Sequence, residues 1–174
     1  MKFSINKKPV IIKKVLIDDG IFPNNKLPVV IYKGALLLPA DHAAKIIEDI
    51  FNKNNWSNSW RNGIYDYYHY HSITHEVLGV YEGSTVVELG GAKGITLPVE
   101  KGDIIIIPAG VVHRNVTPES NFKCVGAYPG GSDYDIKKGE PDDRPEAEKN
   151  IKNVPLPETD PVYGDMGALI NTWK

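Results

Sequence analysis

Histidines and glycines recur at fixed intervals in the middle of this chain. Gly63 is followed after five residues by His69-Tyr70-His71, after four more by Glu76, and after six more by Gly83. Alternate residues of a strand share a face, so His69 and His71 project together. Glu76 has the wrong parity to join them on one unbroken strand. The spacing therefore predicts a turn between residues 72 and 75, after which the chain returns as an adjacent strand.

A second segment has the same character. Gly102 is followed after five residues by Pro108-Ala109-Gly110, and after two more residues by His113. Glycine and proline mark turns, so residues 103–107 are predicted as a strand with His113 just beyond its end. Three imidazoles and one carboxylate from neighbouring strands can then meet inside one small barrel.

These four side chains predict a metal site. Imidazole suits divalent transition metals, and a carboxylate adds a hard oxygen and a negative charge. One isolated histidine is better explained as a buried, hydrogen-bonded side chain. Nine positions at fixed spacing favour metal coordination instead: Gly63, His69, His71, Glu76, Gly83, Gly102, Pro108, Gly110 and His113. We predict one divalent transition metal ion (Fe, Mn, Ni or Zn), and its ligands are His69, His71, Glu76 and His113.

The rest of the chain indicates an all-β domain with little helix. A helix is predicted after Asp41, which can cap it, and ends at Asn54-Asn55. Strands and helices do not alternate along the sequence, so a Rossmann-type sheet is not expected. Short strands between turns are typical of a sandwich or barrel. They are predicted at Val10–Leu16, Ile64–His71, Glu76–Glu82, Ser84–Leu89, Gly94–Val99, Asp103–Ile107, Arg114–Thr117 and Phe122–Tyr128.

The chain is expected to form a single domain over residues 1–174, which is within the usual length of one domain. The barrel core is predicted at about 63–128. Residues 129–174 are rich in proline, glycine and charge, and are predicted as an irregular tail that wraps over the barrel. Pro145 could start a short helix through Lys152, because proline suits the first helical position.

Strand parity also predicts the pocket around the metal. If His69 and His71 point inward, Tyr65 and Tyr67 follow, while Tyr68 and Tyr70 point outward. The last strand is expected to turn Phe122, Cys124 and Tyr128 inward, since the other choice would bury Lys123. The resulting pocket is apolar and aromatic, which suits a small organic ligand. Its predicted members are Tyr65, Tyr67, His75, Leu78, Asn115 and Tyr128.

His75 competes with Glu76 for the fourth ligand position. The two are adjacent and should face opposite sides of an extended chain, so only one of them joins the histidines. Glu76 is favoured because it holds the six-residue spacing to Gly83. If the turn extends to residue 75, His75 could replace or supplement it; otherwise His75 lies near the pocket mouth.

Composition excludes several classes of function. The net charge is −2 and no basic stripe is present, so no nucleic-acid partner is expected. No apolar run reaches the roughly 18 residues of a membrane span. A single cysteine, Cys124, and no signal-peptide pattern predict a cytoplasmic location. A homodimer is expected, with outward Tyr68 and Tyr70 as contacts.

The two His-rich segments resemble the two motifs of the cupin superfamily. The resemblance implies a double-stranded β-helix, or jelly-roll barrel, with the matched His and Glu positions as metal ligands. The second motif departs at Thr117, where cupins usually have an asparagine that is not a ligand; this affects loop geometry more than metal binding.

A closer resemblance covers most of the chain and is to the YjlB-like bacterial cupins, a family without an established reaction. The segments that carry it are Asp18-Asp19-Gly20, Pro23-Asn24-Asn25, Trp60-Arg61-Asn62-Gly63, His69-Tyr70-His71-Ser72, His75-Glu76-Val77-Leu78-Gly79, Gly126-Ala127-Tyr128-Pro129, Gly139-Glu140-Pro141, Val154-Pro155-Leu156-Pro157 and Asp160-Pro161-Val162-Tyr163-Gly164.

Two functions fit these features. The first is a metalloenzyme of the oxygenase or isomerase type that acts on a small molecule at open coordination positions of the metal. Tyr67 and His75 are its only candidate proton carriers. The second is a non-catalytic module that binds a small molecule. The sequence does not choose between them, because a fold does not define a function.

Overall fold

Strands dominate the secondary structure of the computed structural model, which describes residues 2–118 and 120–174. Three helices accompany them in these residues: α1 (Ala43–Lys53), α2 (Arg144–Asn153) and α3 (Ala168–Thr172). The strands of the same residues are β1 (Ser4–Ile5), β2 (Val10–Leu16), β3 (Asn25–Lys33), β4 (Leu36–Leu37), β5 (Trp56–Asn62), β6 (Glu76–Glu82), β7 (Ser84–Leu89), β8 (Ile95–Glu100), β9 (Ile104–Ile107), β10 (His113–Asn115) and β11 (Lys123–Pro129).

Two antiparallel sheets enclose one of the apolar cores. The larger sheet has the strand order β2-β3-β9-β6-β11-β5, and the smaller has the order β10-β7-β8. Side chains of both sheets pack together between them, for example Leu78 and Ile105 from the larger sheet with Leu89 and Val99 from the smaller. Hydrogen bonds do not close the described strands into one continuous barrel. β1 and β4 form a separate pair.

The inner strands of the larger sheet are buried on both faces, which explains the four consecutive isoleucines of β9. Ile105 and Ile107 face the smaller sheet, whereas Ile104 and Ile106 face α1 and the C-terminal segment. α1 packs closely on this outer face because Gly79 leaves room for it. A Cβ atom at Gly79 would lie 2.7 Å from Cγ2 of Ile47.

The prediction of a strand at residues 64–71 is wrong. The chain leaves the edge of the larger sheet after β5, and His69 and Tyr70 form only isolated bridges, with His113 and Lys137 respectively. Residues 64–71 instead form an irregular connection between β5 and the turn before β6. The predicted Asp41 cap is also wrong, since His42 occupies the N-cap of α1 and no side chain caps it.

The C-terminal segment is more ordered than an irregular tail. It contains α2, which begins one residue before Pro145, and α3. It is anchored to the larger sheet, where the Tyr32 hydroxyl donates to buried Asp160 and Trp173 Nε1 donates to the Pro28 carbonyl over 2.8 Å. The composition of this segment is polar and rich in proline, without hydrophobic periodicity. The sequence pattern therefore does not predict these anchoring contacts.

Tyr70 is fully buried, which corrects the outward orientation expected from strand parity. It packs with Phe22, Val112 and Ala147 of α2 beneath the C-terminal segment. Tyr68 is partly buried over the same cluster, and the Arg114 guanidinium lies 4.4 Å from the centre of its ring. Tyr70 therefore cannot supply a dimer contact. No helix among the described residues is long and apolar enough to cross a membrane.

Candidate metal centre

Three histidines meet between the two sheets. One ring nitrogen from each of His69, His71 and His113 lies within 4.8 Å of the others, and all three side chains are buried. His113 begins β10 of the smaller sheet, and paired backbone hydrogen bonds of 3.2 and 2.9 Å hold His69 beside it. His71 is held by its carbonyl, which accepts the Gly110 N–H over 2.8 Å. The turn at Pro108-Ala109-Gly110 thus supports the cluster.

Backbone carbonyl groups orient all three imidazoles in the same way. Nδ1 of His69 contacts the Tyr67 carbonyl and Nδ1 of His113 contacts the Val111 carbonyl, each over 3.0 Å. Nδ1 of His71 contacts the carbonyl of Asp135. A carbonyl accepts only, so each Nδ1 carries the proton and each neutral ring keeps its Nε2 lone pair free. This is the arrangement that metal-binding histidines require.

Glu76 completes the cluster from the larger sheet, at the first residue of β6. Its Oε2 atom lies 2.8 Å from Nε2 of His71 and 3.6 Å from Nε2 of His113. Oε2 is fully buried, yet neither contact gives it a hydrogen bond of acceptable geometry among the described residues. A buried carboxylate oxygen without a donor is costly. Three nitrogens and this oxygen converge as the donor set of a divalent metal would.

The electrostatics of the cluster keep Glu76 ionised. Burial alone raises the pKa of its carboxyl, but His71 and His113 outweigh burial and lower that pKa below the usual value. Burial also opposes the charged form of His71, and the Glu76 carboxylate overcomes it and raises the pKa of that imidazole. His69 lies farther from the carboxylate, so burial lowers its pKa to about 3. Without metal, a proton between Glu76 and His71 is therefore favoured.

His75 lies on the other side of the chain from this cluster. Its Nδ1 accepts the Ala109 N–H over 2.9 Å, and its ring packs on Trp173 with 4.7 Å between centroids. Burial lowers its pKa to about 4. The structure therefore places Glu76 beside the histidines, and it places His75 under the C-terminal segment and away from the pocket mouth.

A pocket of about 280 Å³ opens above the cluster. Of the residues that the sequence assigns to it, Tyr65, Leu78 and Tyr128 line it. Tyr67 stands outside, stacked on Tyr65 with 4.8 Å between ring centroids. Asn115 is also outside, because its side-chain carbonyl accepts the Thr85 hydroxyl. The described lining consists of Trp60, Arg61, Asn62, Gly63, Ile64, Tyr65, His69, His71, Glu76, Leu78, His113, Tyr128, Tyr134 and Ile136.

Part of this pocket comes from segments that the strand pattern does not connect with it. Tyr134 and Ile136 belong to the C-terminal segment, which passes over His71. Trp60 lies on the edge strand β5, which was not predicted. Its ring rests on Gly126 of β11, where an added Cβ atom would lie 2.2 Å from the indole. One sequence feature could have pointed to this wall of the pocket. It is the segment Trp60-Arg61-Asn62-Gly63, which the resemblance to YjlB-like cupins singles out.

Tyr128 is a fully buried residue of the pocket lining, and its hydroxyl is hydrogen-bonded to another lining residue. Trp60 Nε1 donates to the Tyr128 oxygen over 2.7 Å, which leaves the hydroxyl proton free to donate elsewhere. Burial and the nearby Glu76 carboxylate raise the pKa of this phenol, so the proton stays in place at neutral pH. Cys124, on the same strand, is a buried thiol whose pKa burial raises, so it is not a reactive group.

Comparison with known proteins identifies a relative over nearly the whole chain. The uncharacterized protein YjlB of Bacillus subtilis (strain 168) is 42% identical over 157 residues, which cover 90% of this chain and 92% of YjlB. No protein-family model matches the chain.

Similar solved structures are more distant. An acireductone dioxygenase from Bacillus anthracis with a cadmium ion in its active centre is 15% identical, with a TM-score of 0.38, over 52% of this chain and 60% of that one. A Klebsiella pneumoniae protein with a double-stranded β-helix domain is 18% identical, with a TM-score of 0.35, over 78% and 82% of the two chains. No function is transferred at this distance. The relationship to YjlB shows that the chain belongs to the same family as that protein.

Proposed function

We propose that this protein is a metal-dependent cupin that binds a small molecule and transforms it, in a reaction of the oxygenase or isomerase type. His69, His71, Glu76 and His113 would hold one divalent transition metal ion, and the pocket above them would receive the substrate. The jelly-roll arrangement expected of a cupin accounts for the position of this cluster between two facing sheets.

The observation that carries the proposal is the common orientation of the donor atoms. The Nδ1 atoms of the three histidines face carbonyl groups, which leaves their Nε2 atoms to face the cluster. There the buried Oε2 of Glu76 lies 2.8 Å from Nε2 of His71 and has no hydrogen bond of acceptable geometry among the described residues. A cluster that served packing alone would pair these polar atoms. Imidazole nitrogens with one carboxylate suit Fe, Mn, Ni and Zn.

A metal bound here would act as a Lewis acid and would leave coordination positions for a substrate oxygen. The chain's own contribution is to exclude bulk water with the pocket-lining residues Trp60, Leu78 and Tyr134. Tyr67 and His75, the two candidate proton carriers from the sequence, both lie outside the pocket. Tyr128 is therefore the better candidate for a group that contacts the substrate.

The experiment is a metal analysis of protein purified without an affinity tag, followed by Co(II) titration of the metal-free protein. We expect one metal ion per chain, and we expect the His71→Ala/His113→Ala double variant to lose it. His42→Asn is the matched control, because His42 is exposed at the N-cap of α1 and lies outside the cluster. Circular dichroism of the double variant would show that the fold persists.

Turnover is tested separately, by oxygen consumption of the metal-loaded protein across a panel of small metabolites and by product analysis for isomerisation. Substrate-dependent oxygen uptake or isomerised product supports an enzyme. One metal per chain without turnover of any compound favours a binding module instead. Metal retained undiminished in the double variant would contradict the ligand assignment itself.

A further inference from the structure

A second cavity has His75 in its lining and shares no described lining residue with the pocket above the metal cluster. Its volume is about 820 Å³, which is within the range of small-molecule sites. The rest of its lining comes from residues 23–27, from α2 and the chain that follows it, and from Lys174. It is therefore a site of its own, built largely by the C-terminal segment.

The charge of this second cavity, hereafter the lysine cavity, comes from four lysines: Lys26, Lys149, Lys152 and Lys174. None of their amino groups makes an ion pair or a hydrogen bond with another described residue. Glu148, the acidic side chain of the described lining, is already bonded to Arg144 over 2.9 Å. The cavity thus concentrates unpaired positive charge in a chain whose net charge is −2.

Local structure explains only two of these lysines. Lys149 and Lys152 are three residues apart on α2 and share a face, and Lys152 is in the last turn, where the helix dipole favours a cation. Lys26, in β3, and Lys174, after α3, add like charge to the same cavity from elsewhere in the chain. Like charges repel, so an anion that bound among them would relieve this repulsion. A cleft lined by one sign of charge also raises the local concentration of ligands of the opposite sign.

The other polar groups of the lining do not neutralise this charge. The side-chain oxygens of Asn24 and Asn25 are occupied, because they accept backbone N–H groups over 3.2 and 2.9 Å. His75 accepts the Ala109 N–H at Nδ1, so its buried Nε2 carries the proton. That N–H makes no hydrogen bond of acceptable geometry among the described residues, although the Pro155 carbonyl faces the ring. The lining therefore offers a ligand mainly hydrogen-bond donors.

Apolar side chains make up much of the remaining lining. They include Ile151, Val154 and Leu156, and Leu156 is 45% exposed although it is a large aliphatic residue. Val154 is extended at the C-cap of α2, and the proline that follows it cannot continue the helix. Aliphatic side chains and unpaired cations in one cavity suit a ligand that has both an organic part and anionic groups.

We propose that the lysine cavity binds a small organic molecule that carries at least two anionic groups. The anionic groups contact the lysines, and the organic part contacts Ile151, Val154 and Leu156. Two or more anionic groups are required because one exposed ion pair adds little affinity. Lysine is a point charge that accepts phosphates and carboxylates alike, so both belong to this ligand class. The site needs no metal, and the proposal goes beyond the proposed function.

The test uses the full-length protein, freed of metal so that no probe binds through a metal ion, and four probes. Acetate carries one anionic group, citrate and pyrophosphate carry several, and adenosine diphosphate adds an organic part to two linked phosphates. Each is titrated by calorimetry at low salt, and shifts of backbone amide NMR signals locate the binding. Citrate and pyrophosphate separate carboxylate from phosphate as the preferred anionic group, and binding of either supports the proposal.

We expect the more tightly bound of these two polyanions to exceed acetate at least about tenfold, since each added ion pair contributes about two- to fivefold. Adenosine diphosphate should bind several-fold more tightly than pyrophosphate, from apolar burial. The amide shifts should centre on residues 149–156. Binding should weaken on addition of about 0.2 M NaCl, which screens exposed charges.

Lys149→Gln/Lys152→Gln should weaken pyrophosphate binding about three- to tenfold, because two ion pairs are lost. Lys13→Gln/Lys14→Gln is the matched control: it removes the same charge from two exposed lysines of β2 outside the cavity, so pyrophosphate should bind as in the unmodified protein. Leu156→Ser should reduce the advantage of adenosine diphosphate and leave pyrophosphate unchanged. Circular dichroism of each variant shows whether the fold persists.

The proposal is overturned if neither polyanion binds at low salt, or if Lys149→Gln/Lys152→Gln binds pyrophosphate undiminished. Acetate that binds as tightly as citrate and pyrophosphate overturns the requirement for several anionic groups. A polyglutamate peptide is titrated in parallel; if it binds and the small probes do not, the cavity serves a protein partner and the small ligand is overturned. Metal uptake does not enter these measurements, so a failure of the proposed function would leave this inference standing.

Discussion

The backbone carbonyl of Asp135 accepts the Nδ1–H of His71, although 64 residues separate the two along the chain. The Asp135 side chain fixes that carbonyl, because its carboxylate accepts the Ser72 N–H over 2.7 Å and also the Ser72 hydroxyl. Reciprocal backbone hydrogen bonds of 2.9 Å between Tyr70 and Lys137 extend the same contact. The C-terminal segment is therefore part of the support of the metal cluster.

Replacing Asp135 should weaken metal binding without removing a ligand. In Asp135→Ala the carbonyl remains, but the clamp on Ser72 is lost, so the His71 ring is less constrained. Outer contacts of this kind are worth about 10- to 100-fold in metal affinity. We expect a loss of at least about tenfold in Co(II) affinity, measured by calorimetric titration of the metal-free protein.

The controls for this prediction are two neighbouring substitutions. Asp135→Asn keeps a side-chain oxygen that can accept the Ser72 N–H, and it should restore part of the affinity. Asp133→Ala alters an exposed side chain two residues away and should leave the affinity unchanged. Equal affinity in Asp135→Ala and the unmodified protein would show that the clamp does not position His71.

Acid should destabilise the metal-free protein below about pH 6.5. The pKa of His69 is lowered by burial to about 3 and that of His75 to about 4. Between these values and 6.5, the unfolded chain binds two protons that the folded chain does not, so stability falls as pH falls. Each such proton contributes about 1.4 kcal/mol per pH unit. The His71–Glu76 pair does not cancel this, since the raised pKa of His71 stabilises the fold fully throughout this range.

Urea unfolding with a chelator present, from pH 7 to 4.5, measures this slope. His69→Gln removes one titrating group and should lower the slope by about one proton, whereas His42→Asn should not. Below about pH 4.5 a further loss is expected, because the lowered pKa of Glu76 then favours the folded state less. A stability that is independent of pH between 6.5 and 4.5 would contradict the burial of His69 and His75 as neutral rings.

The convergence of the three histidines is the part of the candidate site that the sequence predicts well. The two-residue spacing of His69 and His71 puts them on one side of any extended chain, so it survives the error about the strand at 64–71. Glu76 begins β6, and the alternation that separates it from His75 is a property of the backbone. Both relations involve residues that are close together in the sequence, so the spacing of these residues is enough to predict them.

The walls of the pocket depend on relations that are not local. Tyr134 and Asp135 reach the cluster from a segment without periodicity, and Trp60 lies on an edge strand of polar composition, SNSWRN. Tyr70 is buried by residues distant in the sequence, namely Phe22, Val112 and Ala147 of α2. No spacing in the sequence encodes which distant segment covers a given face, so parity alone misplaced Tyr67, Tyr70 and Asn115.

Metal binding near neutral pH should release a proton. The carboxylate of Glu76 raises the pKa of His71, so this ring holds a proton in a larger share of metal-free molecules than an ordinary histidine would. A metal can use Nε2 of His71 only after that proton leaves, so affinity falls as pH falls. Calorimetric titration with Zn(II) at pH 7 in buffers of different ionisation enthalpy measures the number of protons released. The number should fall in Glu76→Gln, which lacks the charge that holds the proton. Identical heats in all buffers would contradict the pairing of His71 with Glu76.

Adding one methyl group at Gly126 should deform the pocket. A Cβ atom there would lie 2.2 Å from the Trp60 indole, so the ring must move and its hydrogen bond to Tyr128 is strained or lost. Gly79→Ala is the matched control on the neighbouring strand β6, where a Cβ atom would meet Ile47 and Phe51 of α1 instead. Overpacking of this kind costs about 1–3 kcal/mol, so both variants should unfold at lower urea concentration. Only Gly126→Ala should also shift the intrinsic tryptophan fluorescence of the folded protein, because its added methyl group meets the ring of Trp60. If Gly79→Ala shifted that emission equally, the change would reflect general destabilisation, and the Trp60–Tyr128 contact would not be what shapes the pocket.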